Sequence, residues 1–440
     1  MGSIGGGAPS ASARLAALRL SDTGRAAGMG LAVIASNVLT LAFTIIFARL
    51  LGTAGYGSLA ALGSAFLILS IPGSAAQVTV ARELARAEPG RAPEVAAAVT
   101  KLMRRLAVAT AVTALVAVLL RDPLAAVMAV EESWAAAATV PSAGLWVLVC
   151  VQRGVLQGTN GYRLVGLSMI GEAAGRLLFG LILATAGLGV TGVFLGTTAS
   201  LVGTLAILAR PYERALGRRA PEWGSTRSLA TRLASPALAL GLFAVLQNVD
   251  VIVVKHVAAA PVAGAYAAAS LAAKVIVWIA VGVALYLLPE SARRASAGLE
   301  SRRLLLGALA LVALAGLPMT VAFAALGPEL LRFVFGPGYE LSAGVLPWLA
   351  LAMTLLGASY VAAQYLLALE RPRFLATLAV AAVLEPVVLT VAGAELGRVV
   401  AALLVLQLAL AAALLAMSLG ARGAGSPGKR APGRALSSSP

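Results

Sequence analysis

The chain has 440 residues, 60% of them hydrophobic and only 12% charged, with a mean hydropathy of +0.93. No soluble protein of this length has an interior large enough for so many apolar side chains, so the composition excludes a soluble enzyme or regulator and points to a polytopic membrane protein. The net charge of +16 would suggest nucleic acid in a soluble protein; here the basic residues lie between apolar runs, where they mark membrane topology, and no nucleic-acid partner is expected.

Residues 1–27 form a polar cytoplasmic N-terminal segment, in which Ala11–Leu20 is spaced for a short interfacial helix. The opening MGSIGGG carries Gly at position 6, which fails the myristoylation pattern, and the first apolar run is span-length without a cleavage site, so no signal peptide is expected. Twelve apolar spans follow, near 28–48, 57–80, 102–120, 135–155, 163–186, 190–209, 233–254, 266–288, 304–326, 342–368, 374–392 and 398–419. About 20 residues at about 1.5 Å each suffice to cross a hydrocarbon core of about 30 Å. The fold class is therefore all-α, with two six-helix bundles at 28–209 and 233–420. A cytoplasmic linker at 210–232 joins them, and a disordered basic tail occupies 421–440.

The first two spans make a hairpin. One apolar run reaches Arg49, a turn follows at Gly52-Thr53-Ala54-Gly55-Tyr56-Gly57, and a second run returns past Pro72 to Arg82-Glu83-Leu84-Ala85-Arg86. With the N-terminus inside, 27 of the 34 Lys and Arg residues fall on inner segments, five on outer loops (Arg49, Arg121, Lys255, Arg332, Arg398) and two within spans. That asymmetry places both termini in the cytoplasm of a cell-membrane protein. The polar landmarks recur about 210 residues on. Gly55-Tyr56 opens span 2 and Gly264-Ala265-Tyr266 opens span 8; Asn160-Gly161-Tyr162-Arg163 after span 4 matches Arg371-Pro372-Arg373-Phe374 after span 10. Six spans per repeat is an even number, so the halves run parallel about an axis along the membrane normal, facing a central cavity.

A helix ending in Ala48-Arg49-Leu50-Leu51-Gly52, then Gly55-Tyr56-Gly57 and an Ala81-Arg82-Glu83 exit, resembles the start of the polysaccharide-biosynthesis transporters. Gly264-x-Tyr266-x-Ala268 and the Leu288-Pro289 exit echo that pattern. Over roughly residues 24–420 the chain resembles the lipid-linked oligosaccharide flippases of the multidrug/oligosaccharidyl-lipid/polysaccharide exporter (MOP) superfamily. The resemblance implies alternating access by two six-helix bundles, with a polyprenyl-pyrophosphate-linked saccharide carried from the inner to the outer leaflet. It implies a lipid-linked saccharide and membrane lipids as partners, with H+ or Na+ and polysaccharide assembly proteins as further candidates. Lipid II flippases have two more helices than this chain, which argues against lipid II as cargo.

Ionisable residues inside spans are the main functional signal, since each costs about 2.5–3.5 kcal/mol at mid-bilayer unless paired or wetted. Arg176 and Lys274 lie in corresponding depth bands of opposite halves and, with Arg49 and Lys255 at outer helix ends, are the candidate cations for a pyrophosphate. Glu172, Asp250 and Glu385 are the candidate coupling or pairing carboxylates. Glu172 and Arg176 are four apart on one helix face, so they form either an intrahelical ion pair or a cavity cation with its orienting acid. Lys274 has no acidic neighbour within its span. Arg49 and Lys255 serve either as substrate contacts or as snorkelling anchors. Glu385 precedes Pro386, which frees a carbonyl near Ala382; the carboxylate either takes up a proton or cation or plugs a kink. Asn37, Gln77, Asn248 and Gln364 are expected to bond between helices, and Pro72, Pro318, Pro347 and Pro386 to interrupt spans. Cys150 and His256 stand alone, so no disulfide, metal site, cofactor or catalytic group is expected. The competing readings are an ion-coupled multidrug exporter of the same superfamily, a membrane glycosyltransferase, whose chemistry the short outer loops do not accommodate, and a structural scaffold.

Overall fold

Backbone in hydrocarbon must satisfy its own hydrogen bonds, and this chain does so with helices alone: no strand occurs among the described residues. The computed structural model describes residues 22–88, 92–217, 226–297, 301–369 and 371–420. The expected interfacial helix at Ala11–Leu20, the middle of the linker at 218–225 and the basic tail at 421–440 lie outside them.

The helices are α1 (Asp22–Arg86), α2 (Ala92–Leu119), α3 (Arg121–Met128), α4 (Ser133–Gly158), α5 (Tyr162–Leu183), α6 (Gly189–Leu216), α7 (Thr226–Val257), α8 (Ala260–Ser296), α9 (Arg302–Phe335), α10 (Leu346–Ala368), α11 (Phe374–Ala392) and α12 (Leu396–Gly420). Among the described residues ten stretches are long and apolar enough to cross a membrane, and two are double length, 28–86 and 162–216. The first breaks at Gly52, whose φ of 65° and ψ of −179° only glycine adopts without strain. The second breaks at a π-type turn, Ala184–Leu188, with Gly187 and Gly189 at positive φ. Twelve spans result among the described residues, in two halves of six: both arms of α1 with α2, α4, α5 and α6, then α7–α12.

Both halves carry a short element between their third and fourth spans, α3 in the first and the 3-10 turn Tyr339–Val345 in the second. That turn corrects the expected tenth span. Its helix begins at Leu346, so Pro347 starts the helix instead of interrupting it, where its missing N–H costs nothing. Pro72, Pro318 and Pro386 do lie inside helices. Several helices outrun their expected spans; α2 begins ten residues earlier and carries Lys101, Arg104 and Arg105, whose charges leave that end in water while the helical bonds continue.

Small residues set the packing distances. Gly154 and Gly158 of α4 lie against Gln77 and Ala81 in the second arm of α1, and Gly196 of α6 lies against Gly180 of α5. The two halves meet at the repeat landmarks themselves: a Cβ on Gly57 would stand 3.1 Å from the Gly264 nitrogen, and one on Gly264 would overlap the Thr53 carbonyl.

Candidate functional site

Two polar clusters lie inside the helical layers. In the first half, α4 carries Arg153 and α5 carries Glu172. Arg153 is 2% exposed; its Nη2 donates to Glu172 Oε2 at 2.9 Å and its Nε to Ser168 Oγ at 3.0 Å, with the guanidinium 5.6 Å from the Trp146 ring centroid. The intrahelical pair of Glu172 with Arg176 is therefore not formed. Glu172 faces α4, and its partner is a residue that the charge count had assigned to the cytoplasmic side. Span 4 runs five residues beyond Arg153, which places that guanidinium inside the bundle.

Arg176 turns the other way. Its Nη2 donates to Thr40 Oγ1 of α1 at 2.8 Å, its guanidinium stacks 4.8 Å from the Phe43 ring centroid, and its Nε is buried without a partner. Thr40 and Phe43 lie one turn apart on the first arm of α1, so one short stretch supplies both the hydroxyl and the aromatic face.

In the second half, α8 presents Tyr266, Ser270 and Lys274 at successive spacings of four, a single stripe aimed at Asp250 on α7. Tyr266 donates to Asp250 Oδ2 at 3.1 Å, Ser270 to the same oxygen at 2.7 Å, and Lys274 Nζ to Oδ1 at 3.3 Å. Asp250, Tyr266 and Ser270 are fully buried and Lys274 is 5% exposed. Lys274, unpaired within its own span, finds its acid on the neighbouring helix. Glu385 on α11 is also fully buried; its Oε2 accepts from Gln407 Nε2 of α12 at 3.3 Å, while its Oε1 and the Gln407 Oε1 have no partner.

At the end that the charge count makes extracellular, the halves are bolted together. Arg49 donates through Nη2 to the Phe333 carbonyl and through Nε to Val334 O at 3.3 Å, a cation seated on the C-terminus of α9. Tyr339 donates to Ala48 O at 2.7 Å, the His256 Nε2 lies 3.1 Å from Ala126 O, and Tyr56 packs on Phe335 and Tyr339. A cavity of about 410 Å³ sits over this seam, lined by Arg49, Gly52, Arg332, Phe335, Gly336 and Tyr339. Lys255 is half-buried next to His256 at the outer end of α7.

No family model and no curated protein matches the sequence. Solved structures do. An inward-facing multidrug resistance MATE family transporter of the MOP superfamily superposes with a TM-score of 0.74 at 14% identity, covering 87% of this chain and 94% of its own. The lipid II flippase MurJ in an inward closed conformation gives 0.65 at 13% identity, over 88% and 87%. The MATE transporter ClbM in complex with Rb+ gives 0.56 at 15%, over 88% and 93%. The chain shares the fold of these transporters.

Within that fold, the charged candidates sort by partner. Glu172, Asp250 and Lys274 are taken up in ion pairs, Arg49 is a clasp between halves, and Arg176 keeps spare donors. Arg153, Thr40, Ser270 and Gln407 were not singled out from sequence, and Tyr266 was marked only as a landmark of the repeat. The four-residue stripe of α8 was the available signal for Tyr266 and Ser270, whereas nothing local marks Gln407. Of the uncharged polar residues, Gln77 bonds across helices to Gln157 at 3.2 Å, while Asn248 bonds back to Ala244 O of its own helix.

Proposed function

We propose that this protein is a flippase: a transporter that moves an anionic, polyprenyl-pyrophosphate-linked saccharide from the inner to the outer leaflet by alternating access, with Arg176 as its principal contact for the anion. The observation that carries this reading is the state of Arg176, a guanidinium set within the helical layers with no ion pair among the described residues and its Nε buried without a partner. A pyrophosphate cannot cross hydrocarbon without donors that replace water, and a guanidinium supplies them in a fork matched to phosphate oxygens. The carboxylates that a cationic drug would need are already held by Arg153, Lys274 and Gln407. The bolted outer seam, together with the likeness to an inward-facing transporter, supports a chain open toward the cytoplasm, where the substrate is made available.

The test is movement of a polyprenyl-pyrophosphate-linked saccharide in proteoliposomes at matched protein levels. Arg176→Gln should lower it about ten- to a hundredfold, the loss of one charge-assisted contact, and Arg176→Lys should lower it less. Full activity of Arg176→Gln ends the assignment of Arg176. Efflux of cationic dyes with no lipid movement would favour the multidrug reading instead.

A further inference from the structure

The cavity over the outer seam brings together two guanidiniums from opposite halves, Arg49 from α1 and Arg332 from the last turn of α9. Direct contacts tie them to one place. Arg49 bonds the carbonyls of Phe333 and Val334, the two residues after Arg332, and a Cβ on Gly336 would stand 3.5 Å from Arg49 Cγ. Two like charges at a joint push its halves apart, and neither guanidinium has an ion pair among the described residues. Glu340 is turned onto the Gly338 N–H at 2.8 Å, and Glu329, one turn before Arg332, makes no ion pair with it. The carbonyls here are already in use: Ala48 O accepts from Tyr339, Arg332 O from the Gly336 N–H, and the next two from Arg49. Donors are left over. Arg49 bonds through Nε and Nη2, the side edge of its guanidinium; its end edge, Nη1 with the second hydrogen of Nη2, is open, and the whole Arg332 guanidinium is without a partner among the described residues.

We propose that this cavity binds a phosphoryl oxyanion, which bridges Arg49 to Arg332 and locks the two halves together at their outer end. Phosphate oxygens match the two-donor edge of a guanidinium, and one phosphoryl group has oxygens enough to meet two such edges. The anion turns repulsion across the joint into attraction. It leaves the Arg49 bonds to α9 in place, because it takes the other edge of the guanidinium. The volume of about 410 Å³ holds a phosphoryl group with room to spare, and both arginines are exposed, so the anion can reach them. Leu50 and Phe333, their chain neighbours, are 49% and 80% exposed, apolar side chains turned outward as lipid-facing residues are. The cavity therefore lies within reach of both a lipid headgroup and phosphate in the water, and the recognised chemistry is the same for either. The inference does not rest on Arg176 or on the cargo: it makes the outer seam a gate that stays shut while the anion sits in it.

The experiment uses full-length protein carrying Ser342→Cys, a buried seam position, reconstituted in bilayers of a phosphate-free galactolipid; the native Cys150 is buried. Labelling by an impermeant maleimide is timed in chloride, in inorganic phosphate at matched ionic strength, and in chloride with phosphatidylglycerol added to the bilayer. No cargo is present, so failure of the flippase reading leaves the result untouched. An anion that binds only the closed seam slows labelling by one plus its concentration over its Kd, about tenfold at ten times Kd. Slowing by inorganic phosphate identifies the dissolved anion as a ligand, and slowing by phosphatidylglycerol alone identifies the headgroup. In both cases Arg332→Gln should abolish the slowing and Arg332→Lys should keep part of it. Where the seam is too tight to label, the unfolding temperature in the same bilayers carries the comparison, rising with the anion in the parent and not in Arg332→Gln. No response to either phosphoryl source, or a response that survives Arg332→Gln, overturns the proposal.

Discussion

Replacing Arg153 by Met tests which residue neutralises Glu172. In the structure the guanidinium spends one donor on Glu172 at 2.9 Å and another on Ser168, and the two ionic side chains are 2% and 12% exposed. Arg153→Met keeps much of the volume but leaves the carboxylate without its ion-pair partner. Breaking a buried pair from one side costs about 3–5 kcal/mol because the remaining charge is uncompensated. For a unit of about 200 residues, each kcal/mol moves the midpoint by about 2–4 °C, so the unfolding temperature should fall by about 6–20 °C. Adding Glu172→Gln removes the stranded charge and should recover most of the loss. Arg176→Gln gives up one hydroxyl contact and one ring contact, and should cost no more than about 1–2 kcal/mol. The assay is thermal unfolding of detergent-purified variants at matched protein concentration. Should Arg176→Gln prove the more damaging change, with Glu172→Gln rescuing it and not Arg153→Met, the intrahelical pair is the real one and the separation of Arg176 from Glu172 is wrong.

Two further outcomes follow from the seam and from the charge count. Gly264→Val should overpack the contact with Thr53 by about 1–3 kcal/mol; a cysteine at the buried Ser342, which bonds Ala265 O in the same seam, should then label from outside about five- to 150-fold faster, and unchanged labelling would show that the seam is not a gate. Cysteines placed at Ser225 and Ser437 should react only with reagents that reach the cytoplasm, and labelling of intact cells at either position by an impermeant maleimide would invert the topology.

The fold was legible because hydrocarbon leaves the backbone few choices. Apolar length set the spans, and the landmarks at Gly55-Tyr56 and Gly264-Tyr266 announced the repeat before their contact was known. Helix ends were less legible: α2 continues through Lys101, Arg104 and Arg105, because charge stops burial and not helix formation. The charged residues could be found but not paired. Spacing along one helix offered Glu172 with Arg176, yet which face each residue presents depends on the rotation of α5 against α4, and that is fixed by distant small residues such as Gly154, Gly158 and Gly196. Arg153 was hidden for a related reason. A basic residue near a span end reads as an anchor, and only the extra turn and a half of α4 beyond it shows that it is inside.

The two halves share a fold but distribute their charges differently. In the first half an acid is saturated by Arg153 and a second guanidinium, Arg176, is left with donor capacity next to an aromatic ring. In the second half Lys274 gives one hydrogen bond to Asp250, and buried acceptors are left over, the orphan oxygens of Glu385 and Gln407. An unused donor is suited to an anion and an unused pair of acceptors to a proton, so if Arg176 holds the anion a proton would be held in the other half. Such a division has a physical advantage for alternating access. An anion at Arg176 and a proton at Glu385 would not compete for one residue, and would act on each other across the packing of the two halves, which meet at Gly57 and Gly264. Coupling of that kind is reciprocal: whatever the proton does to the affinity for the anion, the anion must do to the affinity for the proton. Glu385→Gln, which fixes the second half in its neutral form, should therefore alter anion affinity at Arg176 without touching that residue, and equal affinity in wild type and variant at every pH would mean that the two clusters are not linked.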